Sequence, residues 1–197
     1  MSNKRITKIV HTELRDGTKV SLVPYNGVNE APQEVVSTLH DLLNEIIEEG
    51  KTYPIELPLS LSEFIEYYFK YFVTVMVSGD IDDPKLVQGD DILGCFYIKP
   101  NYPGRSSHVC NGGFLVATKA RGKSCGTIMG KQYVKWAPLL GYKSSVFNLV
   151  YASNVASCRI WEGLGFQQLG RVPKAGRLRD NDELVDAIIY GYDFERD

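Results

Sequence analysis

The stretch KARGKSCGTIMG, residues 119–130, is the segment of this chain from which most can be inferred. It contains Gly122-Lys123-Ser124, which is the tail of a nucleotide-binding P-loop with the pattern Gly-x-x-x-x-Gly-Lys-Ser/Thr. That pattern requires glycine at position 117, where this chain has Ala117. No strand downstream ends in the acidic run that accompanies such loops. The stretch therefore does not predict a P-loop.

Residues 121–126 instead predict a shorter anion-binding turn at the start of a helix. Backbone N–H groups in a turn of small residues that opens a helix point towards a common spot, and the helix dipole favours negative charge there. Arg121 and Lys123 add positive charge, while Gly122 and Gly126 let a ligand approach the backbone closely. A diphosphate would fit this turn, although a glycine-rich helix start without a ligand has the same pattern.

The periodicity of apolar residues predicts an α/β (α+β) fold, with one mixed sheet and helices on both faces. Helices are predicted within residues 35–50, 61–72, 121–141 and 153–165. Strands are predicted within residues 18–24, 72–79, 91–100, 107–117, 142–152, 166–173 and 185–194, and residues 174–184 read as a polar loop.

Composition limits the classes of protein to which this chain can belong. With 197 residues, we expect a single domain over residues 1–197. The net charge of −2 argues against a nucleic-acid partner, and no apolar run approaches the roughly 20 residues of a membrane helix. The N-terminal residues lack the apolar core of a signal peptide, so we expect a cytoplasmic protein and leave a mitochondrial location open.

The cysteines and histidines do not form a metal-binding pattern. The four cysteines include no Cys-x-x-Cys pair, and the three histidines are scattered along the chain. We therefore expect free thiols that pack in the core, and no metal.

Two motifs, about 30 residues apart, together resemble those of the GNAT N-acetyltransferases. The family's loop pattern, Arg/Gln-x-x-Gly-x-Gly/Ala, is matched by Arg121 and Gly126, whereas Ser124 replaces the middle glycine. NVASCRIWEGLGF, residues 154–166, is similar to the family's Asn-x-x-Ala/Ser…Tyr-x-x-x-Gly-Phe element. The resemblance covers the chain from about residue 90 to its end. It implies the GNAT fold, with a mostly antiparallel mixed sheet and a splayed strand pair, and acetyl-CoA as co-substrate.

The resemblance also implies which residues hold acetyl-CoA. The acetyl-pantetheine arm would enter between the splayed strands and bind the backbone of Phe114 and Val116. Asn154 would bind the pantetheine amide, cap its helix, or do both. The implied diphosphate contacts are Arg121, Gly122, Lys123, Ser124, Gly126 and Thr127.

Longer stretches resemble a narrower group, the fungal acetyltransferases that detoxify the proline analogue azetidine-2-carboxylate. The similar stretches are GKTYP (50–54), FYIKPNYPGRSSHVCNGGFLV (96–116), KWAPLLGYKSSVFNLVYASN (135–154) and VDAIIYG (185–191). This resemblance implies acetyl transfer to the secondary amine of a small cyclic imino acid, in detoxification or stress protection.

In the narrower group, asparagines at the positions of Asn111 and Asn148 hold the substrate and take part in catalysis. An amide suits that role because its carbonyl can orient an amine N–H while its NH₂ group binds a carboxylate or an oxyanion. From the residues alone, Asn111 could also be a turn asparagine before two glycines. Asn148 could be a buried amide with its hydrogen bonds satisfied.

The sequence offers two candidates for the group that assists the leaving thiolate. Many GNAT enzymes use a tyrosine seven residues after the motif asparagine, and this chain has Trp161 there. Water or the Ser157 hydroxyl could take that part. Trp161 and Tyr53 are predicted to line the substrate pocket, with ordinary core or loop packing as the alternative for each. His108 is a candidate for a base on the strand side, with a solvent-facing position in the strand as the alternative.

Two other functions remain open on the sequence alone. One is a GNAT enzyme with another acceptor, such as a protein N-terminus, an amino sugar or a polyamine, for which the acidic segment DIDDPKLVQGDD (80–91) could provide a lining. The other is a non-catalytic acyl-CoA sensor, which the missing tyrosine would favour. The last strand is apolar enough to pack across a homodimer interface, which the resemblance favours, although the edge strand of a monomer would look the same. The other predicted partner is the small-molecule amine substrate.

Overall fold

The protein forms a nine-stranded sheet in the computed structural model, which describes residues 4–195. The helices are α1 (Gln33–Glu49), α2 (Leu61–Phe64), α3 (Cys125–Leu139) and α4 (Val155–Gly163). The strands are β1 (Val10–Glu13), β2 (Lys19–Tyr25), β3 (Phe72–Ser78), β4 (Ile92–Pro100), β5 (Val109–Asn111), β6 (Phe114–Val116), β7 (Ser144–Tyr151), β8 (Gln167–Gly176) and β9 (Val185–Asp193).

The strand order is β1-β2-β3-β4-β5-β7-β9-β8, and β6 pairs with β4 beside β5. Among the described strands, β5 and β7 form the only parallel pair. The predicted mixed and mostly antiparallel sheet is therefore confirmed.

Helices cover both faces of this sheet, and strand β3 shows how. Val73, Val75 and Val77 pack in the core formed with α1 and α2. Phe72 and Met76 point to the opposite face and pack in the core formed with α3 and α4. Because side chains alternate along a strand, one uninterrupted apolar segment contributes to two cores.

Four segments differ from the sequence-based prediction. Strand β8 runs to Gly176 and so takes in the first residues of the polar loop predicted over 174–184. The short strand β1 was not predicted. The predicted helix 61–72 consists of α2 followed by a π-helical turn, Ile65–Phe69. It ends earlier than predicted, because Phe72 already belongs to β3. The strand predicted over residues 107–117 is divided into β5 and β6.

The division between β5 and β6 opens the sheet. Strand β5 pairs with β7 only at Val109 and Cys110, and β6 then continues along β4 instead. The linking residues are Gly112 and Gly113, and a Cβ at Gly113 would lie 2.4 Å from the ring of Tyr97. Glycine is required where the backbone passes so close to an aromatic ring. The strands β6 and β7 consequently diverge, as the resemblance implied.

Candidate active site

A cavity of about 880 Å³ lies between the diverging strands and extends to the N-termini of α3 and α4. It is lined by every predicted site residue except Lys123, which is exposed. The lining residues are Tyr53, Asn111, Phe114, Val116, Arg121, Gly122, Ser124, Gly126, Thr127, Asn148, Asn154 and Trp161. The predicted residues thus lie together around one cavity, with Lys123 outside its lining, and their roles remain predictions.

One end of the cavity is a row of unpaired backbone donors. The backbone N–H groups of residues 122–127 make no hydrogen bond within residues 4–195, and α3 has no side-chain cap. Gly122 and Ser124 both adopt left-handed backbone conformations, with φ of 77° and 70°. Consecutive donors in such a turn, at the positive end of a helix, form an anion-binding nest. These residues therefore fit a diphosphate.

Two arginines lie at this end, and only one was predicted. Arg121 forms an ion pair with Glu49 at the end of α1, with 2.7 Å between Nη2 and Oε1. Arg159 of α4 also lines the cavity and is exposed. An arginine one turn into a helix carries no motif signal, so sequence reasoning missed it.

Strand β6 offers its backbone to the cavity. The Gly113 carbonyl accepts a bond from Tyr97 N–H, and Ala117 N–H donates to the Leu93 carbonyl, both towards β4. Because successive residues of a strand direct their backbone groups to opposite sides, Phe114 and Val116 direct theirs into the gap facing β7. This orientation fits an extended arm with amide groups, such as pantetheine.

Helix α4 begins at the cavity with a hydrogen-bonded cap. The Asn154 Oδ1 accepts a bond from the Ser157 N–H at 3.1 Å, so the predicted N-cap role is confirmed. The Trp161 indole N–H donates to the Ser157 hydroxyl at 2.8 Å. The Trp161 ring is buried, with centroids 4.8 Å from Phe114 and 4.5 Å from Phe147. Trp161 is thus both a packed core residue and a wall of the cavity.

Three asparagine side chains meet at the other end, where the strands diverge. The Asn101 Oδ1 accepts hydrogen bonds from the Nδ2 atoms of Asn111 (3.1 Å) and Asn148 (2.6 Å). The Asn101 Nδ2 donates back to the Asn148 Oδ1 at 3.0 Å. Asn111 Nδ2 also donates to the carbonyl of Val146 at 3.0 Å, so both of its amide hydrogens are used. The Asn111 Oδ1 accepts no bond within residues 4–195 and remains available to a ligand.

The exposure of Asn148 differs from what one of the two interpretations of this residue predicts. Its side chain is exposed rather than buried, and it lies at an irregularity in the β7–β9 pairing between Phe147 and Val150. The irregularity turns this part of β7 away from the regular ladder. The interpretation of Asn148 as a buried, satisfied amide is therefore wrong. Asn101 was missed because it lies in a loop, 47 positions away from its partner.

A group of tyrosines borders the same end. Tyr53 reaches Gly113, where a Cβ would lie 2.8 Å from the Tyr53 hydroxyl. The hydroxyls of Tyr67 and Tyr97 are 3.4 Å apart. Burial, above all, raises the pKa of Tyr53 and of Tyr97 well above the ordinary value. These two phenols therefore stay protonated and can act as hydrogen-bond donors.

The other candidates for chemistry lie elsewhere or are unsuited. His108 is exposed and does not line the cavity. Cys125 lines it, but burial raises the pKa of its thiol, which disfavours the nucleophilic thiolate. The four cysteines are free and buried, as predicted. Residues 4–195 contain no group of three or more His, Cys, Asp or Glu side chains placed to hold a metal ion, and within that range no helix is long and apolar enough to cross a membrane.

Comparisons with known proteins agree with this geometry. The model of the acetyltransferase (GNAT) family matches residues 41–166. The chain is 43% identical over 170 residues to the N-acetyltransferase aca1 of Schizosaccharomyces pombe, covering 82% of this chain and 81% of that protein. It is 33% identical over 203 residues to the Saccharomyces cerevisiae protein SPT10, an alignment that covers 83% of this chain and 32% of that longer protein.

Solved structures show the same fold. A GCN5-related N-acetyltransferase from Kribbella flavida superposes with a TM-score of 0.73 at 24% identity, covering 87% of this chain and 97% of the other. The acetyltransferase yncA of Salmonella typhimurium, solved with acetyl-CoA, gives 0.69 at 14% identity, covering 89% and 95%. The family match, the relative at 43% identity and the shared fold lead to one conclusion: this chain belongs to the GNAT family and is an acetyl-CoA-dependent N-acetyltransferase.

Proposed function

We propose that the protein transfers the acetyl group of acetyl-CoA to the secondary amine of a small cyclic imino acid, such as azetidine-2-carboxylate or a related proline analogue. The observation that carries this proposal is the cluster formed by Asn101, Asn111 and Asn148. It lies where β6 and β7 diverge, beside the backbone that fits the acetyl-pantetheine arm. We propose a role in detoxification or stress protection.

The asparagine cluster supplies positioning rather than acid–base chemistry. When bound, acetyl-CoA supplies an acetyl carbon activated as a thioester. The free Asn111 Oδ1 can accept the N–H of a neutral amine and direct its lone pair at that carbon. Asn148 has one amide hydrogen left, which can stabilise the oxyanion that forms on the acetyl oxygen. The nitrogen–carbon bond forms, the carbon–sulfur bond breaks with its electrons on sulfur, and the amine proton passes to solvent.

We propose that the Ser157 hydroxyl assists the leaving sulfur. Indole nitrogen donates and never accepts, so the bond from Trp161 uses a lone pair of the Ser157 oxygen. The serine hydrogen remains free to donate a hydrogen bond into the cavity, which Ser157 lines. Together, Ser157 and Trp161 would replace the tyrosine that many GNAT enzymes carry at position 161.

The cavity does not suit a polyamine acceptor. None of the acidic residues in the segment 80–91 lines it. Glu49 is its only acidic lining residue within the described ranges, and Glu49 already forms an ion pair with Arg121. A polycationic acceptor would therefore meet no free carboxylate.

The first test is release of free CoA thiol by the purified protein, with azetidine-2-carboxylate as acceptor and spermidine as the control amine. Thiol release with azetidine-2-carboxylate but not with spermidine supports the proposal. Thiol release with spermidine but not with azetidine-2-carboxylate contradicts it. Asn148→Ala and Asn111→Ala should each lower kcat about 10²-fold. Ser157→Ala should lower kcat about 10-fold, because one hydrogen bond to the leaving sulfur is lost. Asn181→Ala, on an exposed loop, is the matched control and should be unchanged.

A further inference from the structure

Lys99 has a position in the cavity that neither sequence motif accounts for. It is the cross-strand neighbour of Asn111 in the β4–β5 pairing. Side chains of such a pair lie on the same face, with Cβ atoms about 5 Å apart. Lys99 also lines the cavity, as do Asn101 and Asn148. It is therefore adjacent to the cluster that we propose holds the acceptor amine.

The Lys99 side chain is fixed by aromatic rings. Its Nζ lies 3.9 Å from the centroid of the Tyr67 ring and 4.3 Å from that of Tyr97. The same atom donates a hydrogen bond to the Tyr67 carbonyl at 3.2 Å. Contacts of this kind orient and attract an ammonium group but provide no counter-ion for it.

No acidic side chain within residues 4–195 neutralises that charge. No carboxylate lies within ion-pair distance of Lys99. Two glutamates border a neighbouring cavity that Lys99 also touches, and both have other partners. Glu66 pairs with Lys70, and Glu63 binds the backbone and side chain of Ser60.

A half-buried cation without a counter-ion is unfavourable, and its hydrogen-bonding capacity is mostly unused. Burial lowers the pKa of Lys99 to about 8, as expected for an ammonium group deprived of water and of an anion. An ammonium group has three N–H donors, of which the structure engages one in a hydrogen bond. An anion bound beside Asn111 would satisfy both the charge and the free donors.

We propose that Lys99 binds the carboxylate of the acceptor, and that the enzyme therefore selects imino or amino acids over amines that lack an anionic group. This proposal rests on the proposed function. In azetidine-2-carboxylate a single carbon separates the amine nitrogen from the carboxylate. With the amine bound to Asn111 of β5, the carboxylate lies within reach of Lys99 on the adjacent strand β4. A charge-assisted hydrogen bond to Lys99 then discriminates against neutral and cationic amines.

Kinetics with a matched pair of acceptors tests this role. The pair is azetidine-2-carboxylate and azetidine-2-carboxamide, which differ in the charge of one group. For Lys99→Met we expect kcat/KM for the acid to fall about 30-fold or more, and that for the amide to change less than about threefold. Lys99→Arg should retain part of the preference for the acid. The control is Lys70→Met, which removes a paired lysine from the neighbouring cavity and should change neither value.

The preference ratio separates carboxylate binding from other roles for Lys99. If Lys99 were a general base, or held the pocket in shape, Lys99→Met would lower kcat/KM equally for both acceptors. An equal loss of kcat/KM for the two acceptors overturns the proposal, and so does no loss for either of them. Thermal melting and acetyl-CoA binding of Lys99→Met show whether the variant is folded.

A second experiment does not depend on turnover. Half-buried Lys99 should react with an amine-acetylating reagent, and mass spectrometry of its peptide measures the extent. With CoA present throughout, azetidine-2-carboxylate should protect Lys99 and azetidine-2-carboxamide should not. Equal protection, or none, overturns the proposal. If the wild-type protein releases no thiol with any cyclic imino acid, the proposed function fails, while this protection experiment still decides the role of Lys99.

Discussion

The two ends of the cavity present different parts of the chain to a ligand. At the start of α3 the groups available are backbone N–H donors of residues 122–127, which do not depend on side-chain identity. Where β5 ends, the groups available are side chains from separate strands, with Asn101, Asn111 and Asn148 held by one another. The first end should therefore tolerate substitution of its non-glycine residues, and the second should not.

Asn101→Ala should have the largest effect. It removes the oxygen that accepts bonds from both Asn111 and Asn148, so both amides lose their orientation. We expect kcat/KM for the acceptor to fall about 10²-fold while the Kd for acetyl-CoA stays within about twofold. Steady-state kinetics and a binding titration with acetyl-CoA measure the two quantities.

A second variant tests whether Asn101 acts by positioning. Asn101→Asp keeps the accepting oxygen but cannot donate to the Asn148 Oδ1. It should recover part of the lost kcat/KM. A loss below about threefold in Asn101→Ala would contradict the importance of side chains at this end.

Substitutions of Gly113 and Gly122 allow the two ends of the cavity to be compared directly. At Gly113 a Cβ would lie 2.4 Å from the Tyr97 ring and 2.8 Å from the Tyr53 hydroxyl, whereas a Cβ at Gly122 meets nothing within 4 Å. Gly113→Ala should destabilise the fold by about 1 to 3 kcal/mol and raise the KM of the acceptor. Gly122→Ala should cost about 1 kcal/mol, from its φ of 77°, and should leave the KM of the acceptor nearly unchanged. Urea unfolding and initial rates check both, and equal kinetic losses would break the comparison.

Glu49→Gln should have a smaller effect, of opposite sign, at the α3 end. The ion pair with Glu49 holds Arg121 away from other anions, and removing the charge frees it for a phosphate. Because exposed ion pairs contribute about 0.2 to 1 kcal/mol, the KM for acetyl-CoA should fall about two- to fivefold. Glu45→Gln, on the same helix, is the control, since Glu45 binds Thr118 and not Arg121. A rise in KM would show that Glu49 positions Arg121 for the cofactor.

The difference between the ends also determines how much the sequence could predict. The α3 loop and the Asn154 cap depend on local chemistry over a few residues, and a motif records such chemistry. The roles of Asn111 and Asn148 came from a resemblance and remain proposals. Asn101 and Lys99 could not be found, because their significance arises from contacts between β4, β5 and β7. Periodicity does not show which residues face each other across strands.

The same limit accounts for the errors of position. Asn148 was expected in a regular apolar strand, but an irregularity in the β7–β9 pairing exposes it. Lys123 was expected to meet the phosphates from its charge and its place in the loop; its side chain is exposed and outside the cavity lining, and its role remains a prediction. Both cases concern the direction of a side chain in irregular backbone, where periodic patterns give no information.

Lys99→Met should make the fold slightly more stable at neutral pH. Lys99 has a pKa of about 8 in the folded protein against 10.5 ordinarily, so the folded state disfavours its charge. This penalty is fully present below pH 8 and disappears as pH rises to about 10.5, because the folded state then releases its proton first. We expect Lys99→Met to gain about 1 kcal/mol at pH 7, allowing for solvent screening, and less at pH 9.5. Urea unfolding at the two pH values checks this.

The groups that surround Lys99 should not produce this pH dependence themselves. Tyr97 faces the ammonium group, but its pKa is raised well above the ordinary value, so it stays neutral in this range. Tyr67 also faces the ammonium group, and Glu66 and Lys70 form their own pair nearby; all three are present in both variants. An equal gain at pH 7 and pH 9.5 would indicate better packing by methionine, and not relief of a buried charge.

Ser124→Gly should have the smallest effect and tests the α3 end most directly. Ser124 stands where the GNAT loop pattern has glycine, and its φ of 70° strains a residue with a side chain. Glycine relieves that strain but loses more entropy on folding, so we expect a net gain of about 0.5 to 1 kcal/mol. Lys174→Gly is the matched control, because Lys174 has a φ of 53° and lies outside the cavity.

If the backbone alone binds the diphosphate, both glycine variants gain stability and the KM for acetyl-CoA stays within about twofold. A several-fold rise in that KM in Ser124→Gly alone would show that the serine hydroxyl is itself a ligand. The loop would then depend on its side chains as the asparagine cluster does, and the contrast between the two ends would be lost. Since Ser124 makes no side-chain cap to α3, its hydroxyl has no structural role there that could mask this outcome.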